Sequence, residues 1–397
     1  MNSRFLALPW LAVSLCLLSA SALCETQPSH SSAGLPPRLK VEGNQIVTAT
    51  GEPLRLRGVN IAGFEWSSDG DRGRIPESVR VAIEEWRVNH IRLPLCQDRW
   101  FGQAPEQSDG GQGYREQIGR VVQQCARRGV YLIADLHWSN AGQPGKRIGQ
   151  HTMPDEGSLR FWREFATEYA NHPAVLFDLY NEPHDVSWDV WRHGGEVTES
   201  LERFGSDKTQ TFQAVGMQIL IDAVRHTGAK NICVIGGLDW SYDLTGVIDG
   251  DPLDDPTGDG VVYACHAYPF KGDTVDEWAA KISAAARELP VIVSEFGSDS
   301  KRRGRWRDGP PEAPTEVPQN DTGMTDYEWN AAMLRTLDEL DLPWTAWVLH
   351  PNAHPQMLSG WDYAPTPWFG AVVKASLRGE PAPPAPGPEA FAPSPSR

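Results

Sequence analysis

Eight short apolar runs, each typical of a buried β-strand, recur along the sequence and alternate with segments of helical periodicity. The runs are Leu54–Asn60, His90–Leu95, Val130–Leu136, Val175–Tyr180, Asn231–Ile235, Val261–Cys265, Val291–Ser294 and Trp344–Leu349. Helical periodicity lies between most of them, at Tyr114–Arg128, Ser158–Asn171, Thr209–His226, Val275–Leu289 and Thr325–Leu340. Strands that alternate with helices form parallel sheets, because each helix returns the chain to the same edge. Eight such units predict an α/β fold, a (β/α)8 or TIM barrel.

The first residues predict export from the cytoplasm. Arg4 precedes an apolar stretch and Ala20-Ser21-Ala22 fits a small-residue cleavage site, so residues 1–22 are typical of a signal peptide. The apolar stretch is too short to cross a bilayer comfortably, and we predict no membrane span. Cys24 does not follow a small residue, so we do not predict lipid attachment there. The expected location is secreted or periplasmic.

The predicted barrel domain covers residues 38–379 and lies between two segments that offer little to a core. Residues 23–37 are rich in Ser and Pro, which predicts a flexible linker. The alternating stretch Leu39–Val47 turns at Gly43-Asn44 and predicts a short N-terminal β-hairpin. Residues 380–397 contain seven prolines, which predicts a disordered tail.

The formal net charge of −16 disfavours nucleic acid and anionic membranes as partners, because both are negatively charged. A neutral polymer such as a polysaccharide is compatible with this charge. The chain has sixteen tryptophans, whose flat indole faces suit the apolar faces of sugar rings as well as an ordinary core.

The sequence leaves open whether the cysteines form disulfide bridges or are buried thiols. Cys96 ends a predicted strand and Cys125 lies in the helix that follows, so a bridge between them is plausible in an exported chain. Cys233 and Cys265 lie in apolar strand contexts that also fit buried thiols. The cysteines and histidines show no zinc-site spacing, and we predict neither a metal nor a cofactor.

Two glutamates come directly after buried-strand runs. Glu182 lies in Tyr180-Asn181-Glu182-Pro183 after the fourth run, and Glu295 lies in Ser294-Glu295-Phe296-Gly297 after the seventh. Because parallel strands of a barrel all end at the same face, the two carboxyls can face one another across a cleft. A facing pair of carboxyls is the minimum equipment for cleaving a glycosidic bond.

These phrases belong to a longer set in which the sequence resembles glycoside hydrolase family 5, the retaining β-glycanases of the cellulase family in the GH-A clan. The resemblance covers most of residues 38–378. The phrases that carry it are Arg57-Gly58-Val59-Asn60, Ile91-Arg92-Leu93-Pro94, Asp135-Leu136-His137-Trp138, Tyr180-Asn181-Glu182-Pro183, His266-Ala267-Tyr268-Pro269, Ser294-Glu295-Phe296-Gly297 and Thr345-Ala346-Trp347. The resemblance implies a retaining endo-β-1,4-glucanase with Glu182 as general acid/base and Glu295 as nucleophile. The expected partner is therefore a β-glycan polysaccharide or oligosaccharide, and we expect the protein to be a monomer. Retention places the two carboxyls about 5–5.5 Å apart.

The second, third and sixth strands supply candidate supporting residues. Arg92 ends the second strand, and its planar guanidinium can hold the carboxylate of Glu295, although a barrel-closing salt bridge is a compatible reading. Tyr268 is expected to donate its hydroxyl to Glu295, and His266 to bond either the sugar or Glu182. In the family pattern, His137 lines the subsite where the bond breaks.

Four further residues are candidates for binding the sugar. Asn181 is placed to bond the 2-hydroxyl, a contact that strengthens in the transition state. Trp347 resembles the floor of the −1 sugar site. Three more aromatic residues are candidates for stacking in neighbouring subsites and fit ordinary loop packing equally well: Trp138, Trp240 and Trp361.

One alternative stays open, and the sequence disfavours two others. The same mechanism could act on mannan, xyloglucan, xylan or a β-1,3-glucan, and endo action is not distinguished from exo action. A non-catalytic glycan-binding barrel would have lost one of the two glutamates. A metal-dependent hydrolase would want paired histidines on an early strand, and Val59-Asn60-Ile61 offers none.

Overall fold

A computed structural model of the chain describes residues 34–142, 148–201, 207–250, 252–300 and 316–391. The strands are β1 (Leu39–Glu42), β2 (Gln45–Thr48), β3 (Arg57–Asn60), β4 (His90–Cys96), β5 (Tyr131–Trp138), β6 (Val175–Asp178), β7 (Gly194–Ser200), β8 (Thr209–Val215), β9 (Cys233–Gly236), β10 (Val261–Ala267), β11 (Val291–Phe296) and β12 (Trp344–Ala346). The helices are α1 (Gly70–Gly73), α2 (Ile75–Val81), α3 (Gln97–Trp100), α4 (Gln112–Ala126), α5 (Glu156–Glu168), α6 (Trp188–His193), α7 (Met217–His226), α8 (Leu238–Ser241), α9 (Thr245–Ile248), α10 (Val275–Ala286), α11 (Asp326–Glu339) and α12 (Gly370–Arg378). The predicted signal peptide, residues 1–22, and most of the predicted linker lie outside the described residues.

Eight parallel strands close into a barrel in the order β3-β4-β5-β6-β9-β10-β11-β12, and β12 pairs with β3 to complete it. Helices connect successive strands, so the predicted (β/α)8 fold is confirmed. Each predicted strand run overlaps one barrel strand. Every residue of β4, β10 and β11 is buried, because helices cover the outer face of the barrel and side chains fill its interior.

The predicted N-terminal hairpin is also confirmed, and it closes one end of the barrel. Strands β1 and β2 pair in antiparallel register. Leu39 and Ile46 belong to the same buried cluster as the inward residues near the amino ends of the barrel strands, such as Tyr131 and Ile232. The opposite end, where the strands finish, is therefore the open one.

The predicted helix over Thr209–His226 is wrong in its first half. Thr209–Val215 is strand β8, which pairs with β7 in an antiparallel hairpin, and the helix begins at Met217. Residues of β8 alternate between more exposed and less exposed positions, as in a ribbon with one solvated face. The helical reading failed because the strand depends on a partner upstream in the chain. Residues 202–206, which separate β7 from β8 in the sequence, lie outside the described residues.

The predicted C-terminal tail differs from the structure over residues 380–391. Phe391 is buried and stacks on Trp368 with ring centroids 4.7 Å apart. The hydroxyl of Tyr327 donates a hydrogen bond to the carbonyl oxygen of Pro383. One aromatic side chain thus anchors a proline-rich segment whose composition alone predicts disorder. Residues 392–397 lie outside the described residues.

The bridge between Cys96 and Cys125 that the sequence left open is not present in the structure. Cys96, Cys125, Cys233 and Cys265 are all buried free thiols, and burial raises the pKa of each to about 12. Cys96 and Cys125 pack into different apolar clusters of the barrel wall.

None of the helices within the described residues combines the length and the apolar character that a bilayer crossing requires.

Candidate active site

Arg92, a fully buried residue of β4, is the centre of a hydrogen-bonded cluster at the open end of the barrel. Its Nη1 donates to Oε1 of Glu295 at 2.7 Å, and its Nη2 donates to Oδ1 of Asn181 at 2.8 Å. Its Nε donates to Oδ2 of Asp178 at 2.8 Å, and Nη2 lies 3.1 Å from Oδ2 of Asp135. Burial disfavours the charged guanidinium, but the three surrounding carboxylates outweigh that effect and raise the pKa of Arg92. The predicted contact between Arg92 and Glu295 is present.

Both oxygens of Glu295 accept a hydrogen bond from a buried donor. Oε1 accepts from Arg92, and Oε2 accepts from the hydroxyl of Tyr268 at 2.7 Å. Burial, reinforced by the nearby Glu295 carboxylate, raises the pKa of Tyr268 well above its usual range, so the phenol keeps the proton that it donates. Two donors on opposite sides fix the orientation of this carboxylate, as predicted for a nucleophile.

His266, at an inward position of β10, contacts both glutamates. Its Nδ1 lies 2.9 Å from Oε1 of Glu182 and 3.6 Å from Oε2 of Glu295, and its Nε2 lies 3.1 Å from Oγ of Ser294. Burial lowers the pKa of His266 to about 3, so the ring is neutral at ordinary pH. In the tautomer with the proton on Nδ1, the ring donates to Glu182 and accepts a hydrogen bond from Ser294.

The two glutamates approach one another closely. One carboxyl oxygen of Glu182, one of Glu295 and a ring nitrogen of His266 all lie within 4.8 Å of one another. Retaining glycosidases have their carboxyls about 5–5.5 Å apart, whereas inverting enzymes need about 6.5–9.5 Å to admit a water molecule. The observed approach fits direct attack on a sugar carbon. The same three side chains could also chelate a cation, but the donors on Glu295 suit a carboxylate free of metal.

His137 and Trp347 form an aromatic floor beside these carboxyls. Their rings stack at 5.1 Å between centroids with an interplanar angle of 7°. Nδ1 of His137 lies 2.7 Å from Oδ2 of Asp135, and Nε1 of Trp347 donates to the carbonyl oxygen of His354 at 3.1 Å. The peptide bond between Trp347 and Val348 is cis.

The remaining three predicted tryptophans are half-buried and lie at the rim. Trp240 stacks on His184 with centroids 4.5 Å apart, and its main-chain N–H donates to Pro183, the residue after Glu182. Trp361 meets His350 edge-on at 4.8 Å. Trp138 packs against a small apolar cluster in the neighbouring loops. Among the residues that the structure describes, the hydrogen bonds around Arg92 do not include these three side chains.

Three partners of Arg92 were not among the predicted site residues. Asp135 and Asp178 stand inside apolar strands, and Asn60, at the end of β3, accepts from Nη1 of Arg92 at 3.0 Å. Burial raises the pKa of both aspartates to about 7 against the opposing effect of the guanidinium. A signal for them existed in the sequence, because an acidic residue inside a buried strand is costly unless it is paired.

Glu65 is a further buried carboxyl at this end of the barrel, and no sequence pattern indicated it. Its Oε2 accepts the main-chain N–H of Gly63 at 2.6 Å, while its Oε1 lacks a hydrogen-bond partner within the described part of the chain. Burial raises the pKa of Glu65 to about 8, and the carboxylates of Asp135 and Glu295 add to the effect. The side chain is therefore neutral at neutral pH.

Comparisons with known proteins give a matching family model and several named relatives. The sequence model of a family described as cellulase (glycosyl hydrolase family 5) matches residues 47–353. The chain is 23% identical to endoglucanase MaCel5A of Microbulbifer sp. (strain ALW1) over 78% of its own length and 50% of that protein. It is 22% identical to endoglucanase E-5 of Thermobifida fusca over 85% of its own length and 62% of that protein. The chain thus spans between half and two thirds of the length of these relatives.

Solved structures share the fold at low sequence identity. The β-glucanase SdGluc5_26A from Saccharophagus degradans superposes with a TM-score of 0.63 at 22% identity, covering 89% of this chain and 96% of that one. The catalytic domain of the major endoglucanase from Xanthomonas campestris pv. campestris superposes with a TM-score of 0.60 at 19% identity, covering 86% and 99%.

Proposed function

Because the chain belongs to the cellulase family, glycosyl hydrolase family 5, we propose that it is an endo-acting glucanase that hydrolyses β-1,4-linked glucan with retention of configuration. The observation that supports this most directly is the approach of Glu182 and Glu295 to within 4.8 Å, with Arg92 and Tyr268 holding the second of them. The named relatives are endoglucanases, which favours glucan as the substrate.

In the first step, the carboxylate of Glu295 attacks the anomeric carbon of the sugar. The bond from that carbon to the leaving oxygen breaks, and the carboxylic acid of Glu182 gives its proton to that oxygen. The product is a glycosyl ester on Glu295. Arg92 and Tyr268 keep the attacking carboxylate in one orientation, so no further entropy is lost in orienting it during the reaction.

In the second step, the carboxylate of Glu182 takes a proton from a water molecule, and the oxygen of that water attacks the anomeric carbon. The ester bond breaks and Glu295 leaves as a carboxylate, so two inversions give net retention. The neutral ring of His266 hydrogen-bonds Glu182 beside the reaction centre and fixes its position without adding a charge.

The sugar lies on the stacked rings of His137 and Trp347 in this proposal. Asn181, whose Oδ1 is held by Arg92, directs its Nδ2 toward the 2-hydroxyl of the reacting sugar. Trp240 and Trp361 stand at the rim, where a longer chain could stack. A neutral glucan meets no repulsion from the net charge of −16.

The leader-like sequence of residues 1–22 supports the further proposal that the protein is exported and acts outside the cytoplasm. The mass and the N-terminal sequence of the mature protein, recovered from outside the cytoplasm, test the cleavage site.

A substrate panel tests the main proposal. We expect carboxymethylcellulose to be hydrolysed faster than glucomannan, xyloglucan, xylan and laminarin, with a rapid fall in viscosity because internal bonds are cut. NMR of the first products of a soluble cello-oligosaccharide should show the β-anomer before mutarotation. An α-anomer would refute retention, and faster hydrolysis of mannan, xyloglucan, xylan or laminarin would replace the glucan assignment.

A further inference from the structure

Gln150, in the loop between β5 and α5, hydrogen-bonds Asn181 and Glu182, the two residues that lie just after β6. Its Oε1 accepts a hydrogen bond from Nδ2 of Asn181 at 2.8 Å, and its Nε2 donates to the main-chain oxygen of Glu182. The side-chain amide of Gln150 therefore links the side chain of Asn181 to the main chain of Glu182, the proposed acid/base.

The orientation of this amide follows from Arg92. A guanidinium can only donate, so Asn181 must turn its Oδ1 toward Arg92 and its Nδ2 toward Gln150. Gln150 must then present Oε1 to Asn181, which leaves its Nε2 for the carbonyl oxygen of Glu182, an atom that can only accept. Each hydrogen bond from Arg92 to Glu182 thus fixes the orientation of the next amide. The Nδ2 group of Asn181 still has a second hydrogen that it can donate to the sugar.

The loop that carries Gln150 is fastened from the other side by the β7–β8 hairpin. Glu199 of β7 is buried and accepts hydrogen bonds from the ring of His151, from the main-chain N–H of Thr152 and from Gln210 of β8. Burial opposes ionisation, but these hydrogen bonds outweigh it and lower the pKa of Glu199.

Main-chain and hydroxyl contacts reinforce the same loop. The N–H of Val215 at the end of β8 donates to Pro154 at 2.8 Å, and the hydroxyl of Tyr180 donates to the carbonyl oxygen of His151 at 2.9 Å. The N–H of His184 donates to Thr152 at 3.0 Å. The loop is thus clamped between the hairpin and the strand end that supplies Glu182.

We propose that Gln150 is a positioning residue for the hydrolytic reaction and that the hairpin holds it in place through Glu199. It sets the amide of Asn181 against the sugar 2-hydroxyl, and its bond to the main-chain oxygen of Glu182 orients its own amide for that contact. This inference rests on the proposed glycosidase function. Because the contact to the 2-hydroxyl strengthens in the transition state, loss of Gln150 acts on kcat more than on KM.

The test compares Gln150→Ala and Glu199→Gln with a matched control, Glu196→Gln, which makes the same charge change on the exposed face of β7. The readouts are kcat and KM on an aryl β-cellobioside and the melting temperature. We expect Gln150→Ala to lower kcat by about 10- to 100-fold, since small displacements of positioned groups cost that much, with KM changed by less than about threefold. Glu199→Gln lowers kcat by a smaller factor of about 3–10, and Glu196→Gln leaves it unchanged.

A second substrate separates positioning from mere stability. On an aryl cellobioside that lacks the 2-hydroxyl of the reacting sugar, the wild-type protein and Gln150→Ala should differ by less than about threefold, because the contact that Gln150 supports is absent from both. Wild-type kcat for Gln150→Ala on the normal substrate, or an equal loss on both substrates, would overturn the inference. An inactive wild-type protein on every β-glycoside would instead overturn the proposed function, so the two failures are distinct.

Discussion

The two ends of the barrel interior are built from the same strands yet have opposite chemistry. On β5, Ile133 lies in the apolar cluster, and Asp135 two residues later lies beside Arg92. On β10, Ala264 lies in the same apolar cluster and His266 lies between the glutamates. Side chains two apart on a strand point to the same face, so on these two strands the inward row passes from apolar to polar as it nears the open end.

The closed end therefore contributes mainly to the stability of the fold, and the open end carries the residues proposed for the reaction. The closed end buries aliphatic and aromatic side chains, each of which stabilises the fold by roughly 1.5–3 kcal/mol. The open end buries several ionisable groups, whose desolvation is costly and is offset only by good hydrogen bonds. Substitutions at the closed end should therefore change stability, and substitutions at the open end should change turnover.

The largest effect is expected at Glu295. Glu295→Gln keeps the size of the side chain but removes the nucleophile, so turnover should fall by at least about 10⁴-fold. The melting temperature should stay within a few degrees, because Arg92 retains its aspartate partners. Steady-state kinetics and calorimetry of one preparation measure both. A variant that turns over normally would remove Glu295 from the mechanism.

Glu182→Ala should lower turnover of the polymer by about 10²- to 10⁴-fold, because the leaving oxygen no longer receives a proton. An aryl glycoside with a good leaving group needs no such proton, so the variant should still form the glycosyl-enzyme, and added azide should accelerate release. Azide should not restore turnover to Glu295→Gln, because the glutamine fills the space that azide would occupy. If azide failed to accelerate release from Glu182→Ala on the activated substrate, the division of roles would need to be revised.

Ile133→Ala tests the closed end. Removing a buried isoleucine side chain should cost about 2–5 kcal/mol of unfolding free energy, while the kcat of the folded fraction should stay within about twofold. Denaturant unfolding monitored by tryptophan fluorescence gives the first quantity. A large loss of kcat without a loss of stability would show that the two ends are not separable.

Glu65→Gln probes the border between the two regions and has the smallest expected effect. The pKa of Glu65 is raised from 4.5 to about 8, so the folded protein holds a proton there that the unfolded chain has lost. The contribution of Glu65 to the free energy of unfolding is therefore fully present below pH 4.5 and is lost as the pH rises through about 8.

The glutamine is neutral at every pH and keeps an oxygen for Gly63. The gain in melting temperature from Glu65→Gln should therefore be a few degrees larger at pH 8.5 than at pH 5, at roughly 2–4 °C per kcal/mol. Thermal unfolding of both proteins at the two pH values measures it. An equal gain at both pH values would mean that Glu65 is not titrating in this window.

The sequence by itself determined the barrel and placed its two candidate catalytic glutamates at the open end. Strand runs and helical periodicity are local patterns, and parallel strands all finish at one face, so Glu182 and Glu295 could be assigned to the same cleft. Arg92, His266 and Tyr268 were assigned to the same face, although Arg92 is the third residue of β4 and does not end the strand as expected.

Only the tertiary structure decided which distant groups meet. The contact of Gln150 with Asn181, the burial of Glu65 and the pairing of β7 with β8 all depend on residues that lie apart in the chain or in irregular loops. The free thiols and the docking of Phe391 have the same origin. A periodic pattern records which face of its own element a side chain occupies, whereas its partner across space is fixed only when the barrel closes.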